Sequence, residues 1–175
     1  VLLWSCILAH AQTNLIRNPG LESAPAIHGL PGDGWWLYEA RGQPEAGLDS
    51  TRARSGKAAA RLQAREDAKF VLVSPAFEVS PGDELSFEVW TQGDKPPAAA
   101  NPGYAGLAFR DVGGRVFERA YFQVRATSGV WTLVSGTART PTLAATAEVH
   151  LGYTNAPGVL WFDDVRAVIT SPLSL

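Results

Sequence analysis

The two adjacent acidic residues near the end of the chain are the first place to look for chemistry. Asp163 and Asp164 lie in the segment Val159-Leu-Trp-Phe-Asp-Asp-Val165, whose apolar residues predict a strand. Neighbouring side chains on a strand point to opposite faces, so these carboxylates cannot flank one glycosidic bond as acid and base. The pair therefore does not predict a hydrolase.

The other residue types used in catalysis are scattered along the chain. The sequence has no serine elbow, no glycine-rich phosphate loop and no clustered histidines, because His10, His28 and His150 stand far apart. A zinc site needs several histidine or cysteine ligands at close spacing, so none is predicted. We expect a protein that is not an enzyme.

Asp163 has a second role to consider. Trp161 and Val165 share its parity along the predicted strand, and if that side faces the core the carboxylate is buried. A buried carboxylate needs a cation or strong hydrogen bonds. Both answers stay open at this point: a metal ion, or an arginine or backbone N–H donors.

Two segments alternate between apolar and other residues, as half-buried strands do. If Leu85, Phe87 and Val89 face the core, with Phe122 and Val124, the side chains between them face outward together. This outward set is Trp90, Glu88, Tyr121, Gln123 and Arg125, with Arg110 and His150 as further candidates. Aromatic rings stack on the apolar faces of sugars, and polar groups bond to hydroxyls. The set predicts a carbohydrate-binding face, unless a loop such as the Pro- and Ala-rich stretch 93–103 covers Trp90.

The elements that must position these residues are short strands separated by turns. Besides the segments above, strands are predicted at 70–73, 106–111, 115–119, 130–137, 147–153 and 159–168, with a hairpin turn at Val112-Gly-Gly114. Ala58 to Asp67 has helical propensity, but we favour a strand there. Strands at this spacing without intervening helices predict an all-β sandwich or jelly roll.

Composition supports one folded domain. The chain has 175 residues, of which 46% are hydrophobic and 18% charged, and one such chain can bury a sizeable core. Lys and Arg total 15 against 17 Asp and Glu, which gives no electrostatic footprint for nucleic acid. We predict a single β-sandwich domain over residues 12–170, followed by a tail at 171–175.

Residues 1–11 form a distinct apolar segment, VLLWSCILAHA. It ends in Ala9-His10-Ala11, which is typical of a signal-peptidase site, and it is shorter than the about 20 residues that span a bilayer. The segment predicts an extracytoplasmic protein that is periplasmic, secreted or at the cell surface. Cleavage, lipid attachment at Cys6, burial as a first strand, and retention as an arm against a membrane or partner all stay open.

Five short motifs together resemble the jelly-roll carbohydrate-binding modules of families four, nine and twenty-two, in the galactose-binding-like superfamily. They are Asn18-Pro-Gly-Leu-Glu22, Ser55-Gly-Lys57, Val79-Ser-Pro-Gly-Asp83, Gly129-Val-Trp131 and Phe162-Asp-Asp-Val165. The resemblance implies an all-β jelly-roll β-sandwich of two antiparallel sheets. It also implies a non-catalytic module that binds a polysaccharide or another glycan.

The same resemblance implies a structural Ca²⁺ ion. In such modules the matching Asp and an acidic residue of the first strand hold the ion, and here these are Asp163 and Glu22. Carbonyl oxygens of Ser55 and Lys57 would complete an all-oxygen shell, which Ca²⁺ prefers.

A second function stays open beside carbohydrate binding. The chain could be a structural accessory subunit that docks onto a larger membrane or envelope protein complex. Two features favour this interpretation: a retained apolar segment at residues 1–11, and a sequence without the glycoside hydrolase that such modules normally accompany. The outward aromatic and polar side chains favour carbohydrate binding.

Overall fold

The computed structural model describes residues 13–23, 26–27, 34–42, 45–64, 69–94, 103–125, 128–154 and 157–171. The predicted apolar segment at 1–11 and most of the Pro- and Ala-rich stretch lie outside these ranges. Within them the chain forms twelve strands, and these residues include no helix that could cross a membrane. The strands are β1 (Ala26–Ile27), β2 (Trp36–Arg41), β3 (Glu45–Asp49), β4 (Ala59–Ala64), β5 (Lys69–Val73), β6 (Phe77–Glu78), β7 (Glu84–Asp94), β8 (Gly103–Arg110), β9 (Val116–Val124), β10 (Thr132–Arg139), β11 (Thr146–Thr154) and β12 (Gly158–Ser171).

The strands form two sheets. Sheet A has the order β1-β2-β5-β11-β8-β9, with β6 also paired to β11, and sheet B has the order β10-β7-β12-β4-β3. The strand pairs are antiparallel, apart from the short parallel pair of β1 and β2. Successive strands such as β9, β10, β11 and β12 belong alternately to sheet A and sheet B, so the chain passes repeatedly between the sheets. The predicted jelly-roll β-sandwich is confirmed.

Alternating residues of both sheets meet in one core. Leu85, Phe87 and Val89 of β7 are fully buried, as the alternation predicted. Phe87 in sheet B stacks on Phe122 in sheet A, with ring centroids 6.1 Å apart. Burying one large apolar side chain stabilises the fold by about 1.5–3 kcal/mol, so such contacts hold the sheets together.

The segment with helical propensity forms a strand. β4 runs from Ala59 to Ala64 between β12 and β3, and Leu62 packs into the core. Burial of this face outweighs the small helical preference of alanine. The strand prediction is confirmed as far as Ala64, and residues 65–68 lie outside the described ranges.

The opening motif of the chain lies beside β12. The Leu15 N–H donates to the Ala167 carbonyl, and the Val165 N–H donates to the Pro19 carbonyl, each at 2.8 Å. Asn14 ties the same strand with its side chain, donating to the Val165 carbonyl at 2.9 Å. The two motifs that bracket the sequence are therefore in direct contact.

A bulge in β12 corrects one prediction. Phe162 and Val165 both face the core, although they differ in parity, because the register shifts just after Asp163. Asp164 lies in the left-handed region with a φ of 48°. Asp163 is the register partner of Trp90 in β7. Trp90 follows the core residue Val89 and so faces away from the core, and Asp163 therefore lies on the outer side of sheet B as well. The prediction that Asp163 and Val165 share one face was wrong, because a bulge adds one residue to the strand.

Candidate functional site

The outer face of sheet A carries an open cleft of about 630 Å³. This volume falls in the range of about 300–1,000 Å³ that small-ligand sites occupy. Its lining comes from five neighbouring strands, β2, β5, β11, β8 and β9: Tyr38, Lys69, Phe70, Val71, Tyr104, Arg119, Tyr121 and His150. The strands lie about 4.8 Å apart, so β2 and β8 face each other over about 14 Å.

Two rows of register partners cross the sheet and shape the cleft. One row runs Tyr121, Gly106, His150, Val73 and Trp36. The next row runs Gln123, Tyr104, Gly152, Val71 and Tyr38. In each row small or flat side chains occupy the middle strands and aromatic side chains stand toward the two sides. The cleft therefore has a low floor between two aromatic walls.

One wall is a pair of stacked tyrosines. The rings of Tyr104 and Tyr121 have centroids 4.5 Å apart and planes inclined at 28°. Gly152 on β11 leaves the space that the Tyr104 ring fills, since a Cβ on this glycine would overlap that ring. Tyr121 is 37% exposed, so its ring can contact a ligand.

The facing wall is formed by β2. Tyr38 is 53% exposed and meets Trp36 edge to face, with ring centroids 6.0 Å apart. Trp35, the preceding residue, is buried in the core. The two neighbouring tryptophans therefore point to opposite sides of the sheet, and Trp36 alone of the two lies on the side of the cleft.

A polar network is buried beneath Tyr121. The Tyr121 hydroxyl lies 2.6 Å from Nδ1 of His150, and Nε2 of His150 lies 2.6 Å from Oε1 of Glu148. Arg110 donates two hydrogen bonds to the Glu148 carboxylate, at 2.7 and 2.8 Å. Because the ionised carboxylate only accepts, Nε2 of His150 donates to it, and in the tautomer with its hydrogen on Nε2 the Nδ1 atom accepts from the Tyr121 hydroxyl. The network fixes the position of the Tyr121 ring.

The charges of this network are balanced internally. Burial raises the pKa of Glu148, but hydrogen bonds from His150 and Arg110 outweigh it and hold that pKa below its usual value. The ionised carboxylate offsets the charge of Arg110. Burial, and then the neighbouring Tyr104, raise the pKa of Tyr121, so its hydroxyl keeps its proton at neutral pH. Tyr121 therefore acts as a neutral hydrogen-bonding group.

Part of the predicted binding set meets at this cleft. Tyr121 lines the cleft, and Gln123 is next to it on the same face of β9. Arg125 follows β9 and donates from Nε to Oε1 of Gln123 at 3.0 Å. Arg110 and His150, the two further candidates, belong to the buried network. The alternation in β9 was therefore a correct guide to this face.

Trp90 and Glu88 lie elsewhere, and the prediction that they share one face with Tyr121 was wrong. Both belong to β7 in sheet B, whereas β9 belongs to sheet A. Trp90 is half-buried, with the guanidinium of Arg54 at 3.9 Å from its ring centroid. The alternative of a covering loop is the one observed, although the loop is 50–57 rather than the Pro- and Ala-rich stretch. Alternation shows the face on which a side chain lies but not the sheet to which its strand belongs.

Several residues of the cleft and of the network beneath it were missed at the level of sequence. Tyr104 precedes the inward-facing residues Ala105 and Leu107, so alternation would have placed it on the outer face of its strand. Glu148 is two residues from the candidate His150 and therefore lies on the same face of that strand. Lys69 and Tyr38 had no such signal. They join the cleft only because β5 and β2 pair beyond β11, a long-range contact that no local pattern shows.

The predicted calcium ligands lie together, but N–H groups face their carboxylates. Asp163 is fully buried and accepts from the backbone N–H groups of Arg54 at 2.8 Å, Ser55 at 3.1 Å and Asp164 at 2.7 Å. Burial raises the pKa of Asp163, and these bonds oppose the rise. This carboxylate matches the alternative of backbone N–H partners.

Glu22 shows the same pattern on the other side of this loop. Its carboxylate accepts from the Lys57 N–H at 3.0 and 3.2 Å. No group of three His, Cys, Asp or Glu residues in the described ranges could hold a metal. An all-oxygen shell would require backbone carbonyls of the loop to point toward the two carboxylates, where backbone N–H groups now point. This arrangement therefore does not fit a calcium ion. Calcium stays a prediction from the resemblance.

Comparison with known proteins agrees with the geometry of the fold. No protein-family model matches the chain, and no curated protein sequence matches it. Among solved structures, the xylan-binding CBM22-1 domain of Paenibacillus barcinonensis Xyn10C is similar with a TM-score of 0.58 and 16% identity, over 93% of this chain and 99% of that one. A family 61 carbohydrate-binding module in complex with β-1,4-galactotriose gives a TM-score of 0.58 and 17% identity, over 90% and 99%.

Longer proteins contain the same fold as one part. The enzymatically active domain of tailspike protein 4 from bacteriophage CBA120 is similar with a TM-score of 0.65 and 13% identity, over 89% of this chain and 21% of that one. This chain therefore spans about a fifth of the tailspike chain and nearly the whole of the two modules. At these identities the likeness establishes the fold, a jelly-roll β-sandwich, and no more.

Proposed function

We propose that this chain is a carbohydrate-binding module that holds a polysaccharide or another glycan in the cleft of sheet A. The observation that carries the proposal is the Tyr104–Tyr121 stack, fixed from below by His150 and Glu148. A stacked ring with a fixed hydroxyl supplies both kinds of contact that sugars require. These are an apolar surface for the C–H face of the ring and a polar atom for a hydroxyl.

The arrangement also lowers the cost of binding. Tyr121 needs no new rotamer to receive a ligand, because its hydroxyl is already bonded to His150 and its ring to Tyr104. Each side chain that binding would otherwise immobilise costs about 0.5–1.5 kcal/mol. Preorganised walls and a low floor therefore suit a weakly hydrophobic ligand such as an oligosaccharide.

The comparisons support this function. The two modules that share the fold over nearly their full length are described as xylan-binding and as a complex with β-1,4-galactotriose. An extracytoplasmic location, as residues 1–11 predict, would bring the protein to such polymers. Mass spectrometry of the native N-terminus tests this location: a start near Gln12 supports export, and an intact segment 1–11 contradicts cleavage.

The direct test is titration with glycans. We expect weak binding of galactan or xylan oligosaccharides in calorimetry, and a loss of about tenfold or more in Tyr121→Ala, which removes a stacking ring. Trp90→Ala is the matched control, since it removes a half-buried aromatic side chain from the other sheet. Circular dichroism checks that both variants fold.

Two outcomes would overturn the proposal. One is that the wild type binds no glycan of a panel containing neutral and acidic polysaccharides. The other is that Trp90→Ala weakens binding as much as Tyr121→Ala does. Co-purification of a stable membrane or envelope complex, together with no glycan binding, would favour the accessory-subunit alternative.

A further inference from the structure

Among the residues that the structure describes, the lining of the cleft carries two cations and no carboxylate. Lys69 and Arg119 are exposed, and the other lining residues are tyrosines, apolar residues and His150. The Glu148 carboxylate beneath them is already occupied by Arg110 and His150. The lining is therefore positive, although the whole chain has a formal net charge of −2.

The two cations stand at opposite ends of the aromatic walls. Arg119 precedes Tyr121 by two residues on β9, and its register partner is Ala108. Lys69 begins β5, and its register partner is Thr154, two residues beyond Gly152 on β11. Arg119 and Lys69 are thus three rows apart, which is about 20 Å along the strands. A sugar chain that runs along the cleft would pass both.

We propose that the ligand of the cleft is an acidic glycan, whose sugar rings carry an anionic substituent. The inference rests on the proposed function and specifies its ligand class. The substituent is a carboxylate or a sulfate ester, since the guanidinium of Arg119 and the ammonium of Lys69 can each bond to oxygens of either group. A neutral sugar would offer these two groups only hydroxyl oxygens as acceptors, whereas an anionic substituent would also balance their charge, so the charge distribution favours an anionic ligand.

A pair of polymers with one backbone tests the charge itself. Polygalacturonate and its fully methyl-esterified form have the same rings, and only the first is charged. We expect calorimetry to show about tenfold tighter binding of the acid form at low salt, and a smaller difference at 1 M NaCl, where the Debye length is about 3 Å. A sulfated galactan and a neutral galactan form the second pair and identify which anionic group is preferred.

Variants assign the effect to the two side chains. Lys69→Gln and Arg119→Gln should each weaken binding of the acidic polymer about threefold, and the double variant about tenfold, whereas the loss for neutral galactan should be smaller. Arg139→Gln is the matched control, because Arg139 is an exposed arginine on β10 of sheet B. All substituted side chains are exposed, so the fold should tolerate the changes.

The outcomes separate this inference from the function on which it rests. Tighter binding of either acidic polymer supports an acidic glycan and assigns the group. Equal binding of charged and uncharged polymers, still dependent on Tyr121, overturns the acidic ligand and leaves carbohydrate binding intact. An equal loss in Arg139→Gln and Arg119→Gln also overturns it, since net charge alone would then explain the effect. No binding of any polymer overturns both.

Discussion

Tyr121 combines three contacts that each constrain the others. Its ring stacks on Tyr104, its hydroxyl bonds to His150, and its exposed face is turned to the cleft. Phenylalanine could keep the stack but would leave Nδ1 of His150 without its partner in a buried place, which costs about 1–3 kcal/mol. The residue type follows from the need for an apolar ring and a polar anchor in one side chain.

Gly152 gives a sharp test of the stacked wall. We expect Gly152→Ala to displace the Tyr104 ring, because the added Cβ would overlap it, and therefore to weaken glycan binding about tenfold. The melting temperature should change little, since the ring can move toward solvent. Gly47→Ala is the control, because nothing lies within 4 Å of its added Cβ. Unchanged binding in Gly152→Ala would show that the stack is not needed.

Glu148 should make stability depend on pH in the acid range. Its folded-state pKa lies below the usual value of 4.5, so its stabilisation is present above that value and is lost as the pH falls through the folded pKa. At pH 7 we expect Glu148→Gln to lose roughly 1–3 kcal/mol, because Arg110 and His150 keep no charged acceptor. Urea unfolding at pH 7 and pH 3 measures this loss.

The difference between wild type and Glu148→Gln should shrink at pH 3. Asp163 has a raised pKa and acts in the opposite direction, but it is present in both proteins and cancels in the difference. Glu78→Gln provides the control variant, because it makes the same substitution at an exposed glutamate. A pH-independent loss in Glu148→Gln would mean that the carboxylate charge contributes nothing.

At the scale of elements, the loop 50–57 and β12 depend on each other through Asp163. Three backbone N–H groups converge on this one buried carboxylate. Asp163→Asn replaces an acceptor oxygen with an N–H₂ group that faces these donors, so we expect a loss of about 1–3 kcal/mol in urea unfolding. Asp94→Asn, at the exposed end of β7, should have almost no effect.

The same protein pair tests the calcium prediction. If Glu22 and Asp163 hold the ion, a chelator should lower the melting temperature of the wild type but not of Asp163→Asn. An equal melting temperature with and without chelator would count against the ion. The N–H bonds would then be the complete account of both carboxylates.

The limits of sequence reasoning are visible in three strands. β7 and β9 were oriented correctly because their inward residues, such as Phe87 and Phe122, repeat with the period of a strand. Their assignment to one sheet failed because pairing with β12 or β8 depends on distant segments. The face of Asp163 in β12 was misjudged because it was inferred from Val165, which lies beyond a register shift and therefore on the other face. No local residue pattern indicated this bulge.

The candidate site was only half predictable for the same reason. Tyr121 and His150 belong to strands with clear alternation, and both were recognised as outward residues. The facing wall, with Tyr38, comes from β2, which reaches the cleft through β5 and β11. Residues brought together by sheet order, rather than by spacing in the chain, require the fold before they can be seen as a site.

At the scale of the whole molecule, the two sheets have different outer faces. Over sheet B, the guanidinium groups of Arg52 and Arg54 cover the rings of Trp161 and Trp90 at 4.5 and 3.9 Å, and the Trp161 indole N–H donates to Asp49 at 2.9 Å. Sheet A leaves its tyrosines open. In the described part of the molecule the open aromatic side chains of the cleft therefore lie on sheet A, and under the proposed function a polymer would be held on that side.

The position of β9 at the edge of sheet A leads us to expect different local stabilities on the two sides of the cleft. Among the described strands β9 has β8 as its one hydrogen-bonded neighbour, whereas β11, with His150, lies between β5 and β8. Marginal strands open locally at lower free energy than central ones, so their amide hydrogens exchange faster with solvent. A ligand that contacts both Tyr121 and His150 would link the edge strand β9 to the inner strand β11. Amide hydrogen exchange should then slow in β9 and stay constant in β7. The rate at which the sugar dissociates would then be set by the local opening of β9.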